Sequence, residues 1–319
     1  MEFKKEAIMW KRAIIILLAV LLLVPVASAK DYRFVIVPKV VHPWFDEVNK
    51  GAQEQAKLME KQLGVKIVIE YIAPTAADVT EQNSILERVA VTKPDGITVD
   101  PLDPSGNRQV FIEIMRRGIK LFTFDSPPLP DLGIGGVGNN FTEQSEIAAE
   151  MLLKLVGYKG EIAVMQGFPT APNHKERYDA HLAYLKKFPN VKAIDGGISN
   201  DSISQAQQQA AAVLASHPKL VGYLNCDATS GGIAAAVKEA GKVGKVRLAL
   251  MDSLHDEVLM VKEGVIDGLS ATKPRDQGAL AVLMLYQGAI GGRMPFWVDT
   301  GIDVITKDNV DEWLSNNPK

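Results

Sequence analysis

Short runs of β-branched and aromatic residues alternate along the chain with longer stretches whose apolar residues recur every three or four positions. Residues 34–37 predict a strand. Residues 44–63 predict a helix with Phe45, Val48, Ala52, Ala56 and Met59 along one face. Strands are expected at 66–71, 96–99 and 120–124, separated by helices over 77–91 and 106–117. A helix over 141–156 restarts the pattern. Strands at 161–165, 191–194, 220–224, 247–251, 268–271 and 300–305 then alternate with helices over 174–188, 203–216, 231–240, 254–262 and 276–290.

Strand–helix alternation at this spacing implies βαβ units, hence parallel sheets in an α/β protein. Ten or so strands divide more naturally into two sheets of about five than into one. Two lobes are therefore expected: residues 30–139 with 273–300, and residues 140–272 with 301–319. The segment 126–140 carries Pro127, Pro128, Pro130 and four glycines. It reads as irregular chain passing from one lobe to the other.

The first 29 residues stand apart. Lys4, Lys5, Lys11 and Arg12 precede an unbroken apolar run over 13–24, then Pro25 and Ala27-Ser28-Ala29. A basic start, a short apolar core and small residues at −3 and −1 describe an export leader, cut after Ala29. The run is too short to span a bilayer, which takes about 20 residues. Removing it leaves 290 of 319 residues and moves the formal charge from −3 to −5. A weakly acidic exported chain is poorly suited to nucleic acid, whose binding relies on Lys and Arg neutralising phosphates. The single cysteine, Cys226, has no internal disulfide partner. The mature protein is expected in the periplasm, as a monomer.

Parallel sheets bind ligands beyond the carboxyl ends of their strands. There the first half places His42, Trp44 and Phe45, then Asp100 with Asp103, then Asp125. The second half places Gln166 with Asn173 and Arg177, then Asn225, Cys226 and Asp227, then Asp252, then Thr272 and Lys273. Carboxylates accept hydroxyl hydrogen bonds, Arg and Asn donate them, and aromatic faces stack on the C–H side of a sugar ring. Simpler roles exist for each residue. Asp103 and Asp227 suit helix caps before Pro104 and Thr229. Arg177 suits a solvated helix face, one of the two aromatics suits the core, and Cys226 suits a small buried site.

Enzyme signatures are missing from the sequence. The five histidines show no HExxH spacing, and there is no GxSxG elbow or Walker loop. The glycines of 133–138 do not fall at dinucleotide-fingerprint spacing between a strand and a helix. Asp125 and Asp252 would make a glycosidase pair only with a raised acid. No catalytic residue, metal or cofactor is expected.

Several segments in order carry a family resemblance. Phe34 to Phe45 followed by Gly51-Ala52-Gln53 resembles the opening of the ribose-type periplasmic sugar-binding proteins, the capturing subunits of ABC importers. Pro94-Asp95-Gly96-Ile97, the run from Gly118 to Asp125, Gln166-Gly167 with Glu176-Arg177, Asn225-Cys226-Asp227 with Gly231 to Ala235, and Leu250-Met251-Asp252 resemble later segments. Together they span residues 31–305. The resemblance implies two Rossmann-like lobes joined by three crossovers, with a monosaccharide or polyol in the cleft and a membrane permease as partner. It implies Asp125, Arg177 and Asp252 as the sugar-binding charges and Trp44 and Phe45 as the stacking pair. His42 and Cys226 stand where ribose binders carry Asn, Ser126 where they carry Arg, and Thr272 where they carry Gln. Lys39, Asn173 and His174 look like the branch that binds rhamnose or autoinducer-2. The same pocket would also serve a sensor that presents its ligand to a chemoreceptor or sensor kinase. A repressor effector domain of this fold fits poorly with an export leader and no helix-turn-helix.

Overall fold

The structure, a computed structural model, describes residues 30–317, so the expected leader lies outside the described residues. The first lobe is built on strands β1 (Asp31–Val37), β2 (Lys66–Tyr71), β3 (Gly96–Val99), β4 (Lys120–Phe124) and β5 (Gly136–Gly138), alternating with helices α1 (Pro43–Leu63), α2 (Val79–Val91) and α3 (Pro104–Arg116). The second lobe follows with α4 (Phe141–Val156), β6 (Gly160–Gln166), α5 (Pro172–Leu185), β7 (Val191–Ile198), α6 (Ile203–Ser216), β8 (Leu220–Leu224), α7 (Ser230–Glu239), β9 (Arg247–Met251), α8 (His255–Glu263) and β10 (Gly268–Ala271). The chain then returns through α9 (Pro274–Ala289) and β11 (Trp297–Asp299). It crosses again to β12 (Asp303–Thr306) and α10 (Val310–Asn316).

The first sheet has the order β2-β1-β3-β4-β5-β11 and the second β7-β6-β8-β9-β10-β12. Every pairing described is parallel except β12 against β10. In each sheet the order reverses beside the first strand, between β1 and β3 and between β6 and β8. Loops leave in opposite directions there and open a crevice. Strand alternation splits each core in two. Phe34 and Ile36 face α1 and α9, while Val35 and Val37 face α2 and α3. In the second sheet Ala163 and Met165 pack with residues of α6, α7 and α8, and Ile162 and Val164 with residues of α4 and α5.

Two strands correct the sequence reading. Segment 126–140 is not an irregular passage throughout. It makes a 3-10 turn at Pro130–Leu132 and then forms β5, and the crossing itself takes only Asn139 and Asn140. β5 is Gly-Val-Gly and shows no alternation to read, because its neighbours leave no room for side chains. A Cβ on Gly136 would meet Thr123 Oγ1 at 2.1 Å, and one on Gly138 the Trp297 ring at 2.7 Å. The expected strand at 300–305 is reduced to β12, and a further short strand, β11, precedes it and joins the other sheet.

Helices α1 and α9 pack without spacing side chains at two points. A Cβ on Gly51 would lie 2.0 Å from the Arg275 carbonyl oxygen, and one on Gly278 would lie 1.9 Å from that of Val48. This contact fixes the helix that begins with the aromatic pair Trp44 and Phe45. In the second lobe Glu257 is buried and ties two turns together, its carboxylate accepting from Gly231 N–H at 2.9 Å and Leu254 N–H at 3.1 Å. Burial outweighs these bonds and pushes its carboxyl up to about 8.

Two outcomes follow. Gly278→Ala forces backbone against backbone and costs about 3 kcal/mol, the upper end of overpacking penalties, measured by urea unfolding; a loss near zero would show that the helices can part freely. Between pH 4.5 and 8 the folded state keeps the Glu257 proton that the unfolded chain has released. Stability therefore falls as pH rises through that window. Melting curves from pH 5 to 8.5 are expected to show the fall, and Glu257→Gln to flatten it; an unchanged slope in the variant would assign the effect elsewhere.

Candidate functional site

The carboxyl ends of the two sheets face one another. From the first lobe, the loop after β1 supplies Lys39 and His42, the start of α1 supplies Trp44 and Phe45, and β3 and β4 end on Asp100 and Asp125. From the second, α5 supplies Asn173, His174 and Arg177, and β7 leads to Ser199 and Asp201. β8 leads to Asp227 and Ala228, and β9 ends on Asp252. Lys39, His42, Trp44, Phe45, Asp125, His174, Arg177, Asp201, Asp227, Ala228 and Asp252 enclose a cavity of about 10 Å3. That is about the room one water molecule needs, so a larger guest requires the lobes to part.

Local backbone explains the aim of several side chains. His42 caps α1: its Nδ1 accepts from Trp44 N–H at 3.2 Å, and Pro43 opens the helix. Nδ1 is thereby an acceptor, so the ring proton sits on Nε2, which is buried without a partner. Asp125 and Asp252 hold left-handed backbone, φ 45° and 68°, at the matching strand ends of the two lobes. Non-glycine residues adopt such angles at a cost of order 1 kcal/mol or more. Asn200 and Asp201, φ 51° and 54°, turn the chain after β7 in the same way.

Charged contacts cross the seam. Arg177, fully buried, donates across the seam to Asp125 Oδ1 at 3.2 Å and, within its own lobe, to the Cys226 carbonyl at 3.3 Å and Gln144 Oε1 at 2.9 Å. Asn173 donates to Asp125 Oδ2 at 2.8 Å and accepts from Lys39 at 3.4 Å. Lys39 pairs with Asp100 at 2.8 Å and lies 3.2 Å from His174 Nε2. Burial alone would lower the Lys39 ammonium, but Asp100, Asp201 and Asp125 outweigh it and hold it above its ordinary value. Burial pushes Asp100 up to about 8 and, with Asp201 beside it, Asp227 up to about 6. Asp201 and Asp252 are raised by burial against the pull of Lys39 and Arg177 respectively. Burial and Lys39 hold His174 well below its ordinary value, and burial takes His42 down to about 4, so both rings are neutral.

His174 Nδ1 accepts from Phe168 N–H at 2.7 Å, which again puts the ring proton on Nε2. Nε2 therefore meets Lys39 as donor to donor. It also points at Asp201 Oδ1, 3.6 Å away. Although His174, Asp201 and Asp227 bring their atoms within 4.8 Å of one another, a protonated imidazole nitrogen does not ligate a metal.

Sequence reasoning and geometry differ at named positions. The Cys226 side chain does not line the cavity; it is buried, its thiol pushed well up by burial, and only its carbonyl serves Arg177. Thr272 lies at the seam's edge rather than in the cavity wall. It accepts from Trp44 Nε1 at 2.9 Å and donates to Asp252 Oδ1, and it faces a separate groove of about 680 Å3 between α1, α8 and residues 272–276. Asn173 supports the wall from behind. Asp103 is a helix cap, accepting from Ser105 N–H at 3.0 Å. Both Trp44 and Phe45 reach the cavity, crossing at 87° with their centroids 5.2 Å apart. Asp201 was missed because β7 runs to Ile198, four residues beyond the readable apolar part. Asp195-Gly196-Gly197 hides its continuation, and with it the strand end where Asp201 sits.

Residues 33–293 match the family described as periplasmic binding protein domain. The D-allose-binding periplasmic protein of Escherichia coli K12 is 24% identical over 276 residues, which cover 84% of this chain and 87% of that protein. An ABC transporter solute binding protein from Burkholderia graminis C4D1M, solved in complex with D-arabinose, has a TM-score of 0.81 at 29% identity, covering 88% of this chain and 97% of that one. An arabinose binding protein from Geobacillus stearothermophilus has a TM-score of 0.69 at 27% identity, covering 89% and 99%. With two doubly wound lobes and one polar cavity between their strand ends, the chain belongs to the periplasmic binding protein domain family, whose members bind substrates rather than transform them.

Proposed function

We propose that the protein captures a monosaccharide or closely related polyol between its lobes and delivers it to the membrane permease of an ABC transporter. One observation carries this reading: strand ends from both sheets bring buried donors and carboxylates to a single cavity between the lobes. Export to the periplasm, with the leader cut after Ala29, and action as a monomer belong to the same reading. So does presentation of the loaded form to a chemoreceptor.

The mechanism follows from the seam. With the lobes apart, water satisfies Asp125, Arg177 and Lys39. A sugar entering the cleft offers hydroxyls that both donate and accept, so it can replace those waters from both sides at once. Asp125, Asp227 and Asp252 would accept from hydroxyl groups; Arg177 and Lys39 would donate to ring and hydroxyl oxygens, with Asn173 holding Asp125 in place. An oxygen between Lys39 and His174 would turn a donor–donor contact into two hydrogen bonds. Trp44 and Phe45 supply apolar faces for ring C–H groups. Because contacts form to both lobes, binding favours closure. The closed form is then the one a permease distinguishes from the empty, open one.

Calorimetry over pentoses, hexoses, deoxyhexoses and polyols is expected to find a single-site isotherm with a change in Trp44 fluorescence. No binding anywhere in the panel would count against the reading. At 100 times its dissociation constant, such a ligand adds about 2.7 kcal/mol to stability. Asp125→Asn removes a charged acceptor while keeping its shape, and is expected to weaken binding by about 10- to 100-fold. Undiminished affinity in a variant with a normal melting curve would remove Asp125 from the site.

A further inference from the structure

Around the cavity, five carboxyl groups (Asp100, Asp125, Asp201, Asp227 and Asp252) are set against two cations, Lys39 and Arg177. Lys39 is committed to Asp100, and Arg177 to Asp125. No lysine or arginine among the described residues forms an ion pair with Asp201, Asp227 or Asp252. The neutral rings of His42 and His174 do not make up the difference. A ligand made only of hydroxyls needs no such excess, since one carboxylate already accepts two hydroxyl hydrogen bonds.

The excess is concentrated on one side. Asp201 and Asp227 approach each other and His174 within 4.8 Å. Asp227 has hydroxyl partners in Ser199 and Thr229. Asp201 Oδ2 is buried and accepts from no N–H or hydroxyl among the described residues, its near neighbour being the Asp227 carboxyl, on a side chain only 7% exposed that faces the cavity. Two carboxylates this close either share a proton or hold a cation between them. Burial favours the shared proton so long as protein groups are the only partners. An ammonium donates three hydrogen bonds and carries the missing charge, so it can meet Asp201 Oδ2 and Asp227 together.

We propose that the ligand of this cleft carries a positively charged amino group, as an amino sugar or aminated polyol, with the ammonium held by Asp201 and Asp227 and the hydroxyl-bearing part by Asp125, Arg177 and Asp252. The proposal rests on the reading of the cavity as a sugar site and narrows its substrate class. A metal ion is the weaker occupant, because His174 presents an N–H to the same space.

Calorimetry at one pH with matched pairs tests it: glucosamine, galactosamine and mannosamine against glucose, galactose and mannose, and 1-amino-1-deoxysorbitol against sorbitol. At least one amine is expected to bind 10-fold or more tightly than its neutral parent, and its N-acetylated form to lose that advantage. Asp201→Asn, confirmed folded by its melting curve, is expected to shrink the amine-to-parent ratio several-fold. Neutral sugars binding as tightly as their amines would overturn the proposal and leave the sugar reading standing. No binding by any compound would overturn both. Ethanolamine or putrescine binding as tightly as the amino sugars would overturn the polyol half, and an unchanged ratio in Asp201→Asn would overturn the assignment of the ammonium.

Discussion

The structure turns on the contact between Arg177 and Asp125, two opposite charges buried in the seam and each supplied by a different lobe. Burying a charge pair carries a desolvation cost that its mutual attraction often fails to recover, so such a pair is weak evidence for stability. It has a different consequence when it straddles two bodies that can separate. Neither charge can stay in the seam without its partner or a substitute. The lobes therefore have two satisfactory arrangements, open to water or closed over matching groups. Asn173 and Lys39 extend the same logic across the seam; Asp125, Lys39 and Asn173 sit at or just beyond a strand end or at the start of a helix, and Arg177 one turn further along α5.

Backbone geometry makes those positions available. A strand that ends and turns sharply can present its last side chain along its own axis, into the space between the sheets. At Asp125 and Asp252 the turn uses left-handed backbone. Aspartate tolerates that region better than most residues, since its short side chain can bond locally. The same geometry at the same strand end in both lobes gives a cleft whose two walls are built alike. The lobes differ in what they add: an aromatic pair and Lys39 from the first, and Arg177 with extra carboxylates from the second.

How much of this is legible in the sequence depends on whether a segment carries its own pattern. β3, β4, β8, β9 and β10 are legible to the residue, because buried parallel strands form short apolar runs bounded by turns, and the edge strand β2 is legible from its β-branched run between Gly64 and Pro74. β5 was invisible: its glycines answer to the crowding of Thr123 and Trp297, which are distant in sequence or only meet it in space. Asp125, Arg177 and Asp252 were reached through strand ends and a family resemblance. Asp201 lay behind a strand whose last residues break alternation. Cys226 was placed beside the right strand, but nothing in a sequence says whether a residue after a strand turns its side chain or its carbonyl to the cavity. The net imbalance of charge at the site was equally out of reach, since it depends on which carboxylates meet.

The aromatic pair, the crossover and the second lobe are joined by one short chain of hydrogen bonds. Trp44 Nε1 donates to Thr272 Oγ1, and Thr272 donates to Asp252. Thr272 lies in the link between β10 and α9, and α9 is locked to α1 where Gly51 and Gly278 admit backbone contact. The ion pair of Glu47 with Arg275 braces the same junction. Trp44 thus rides on a rigid pair of helices whose second member starts at the crossover itself. Any hydroxyl or ammonium that competes for Asp252 acts on Thr272, and through it on the position of the indole and the start of α9. Occupancy of the cleft and the setting of the crossover are in this way parts of one hydrogen-bonded unit.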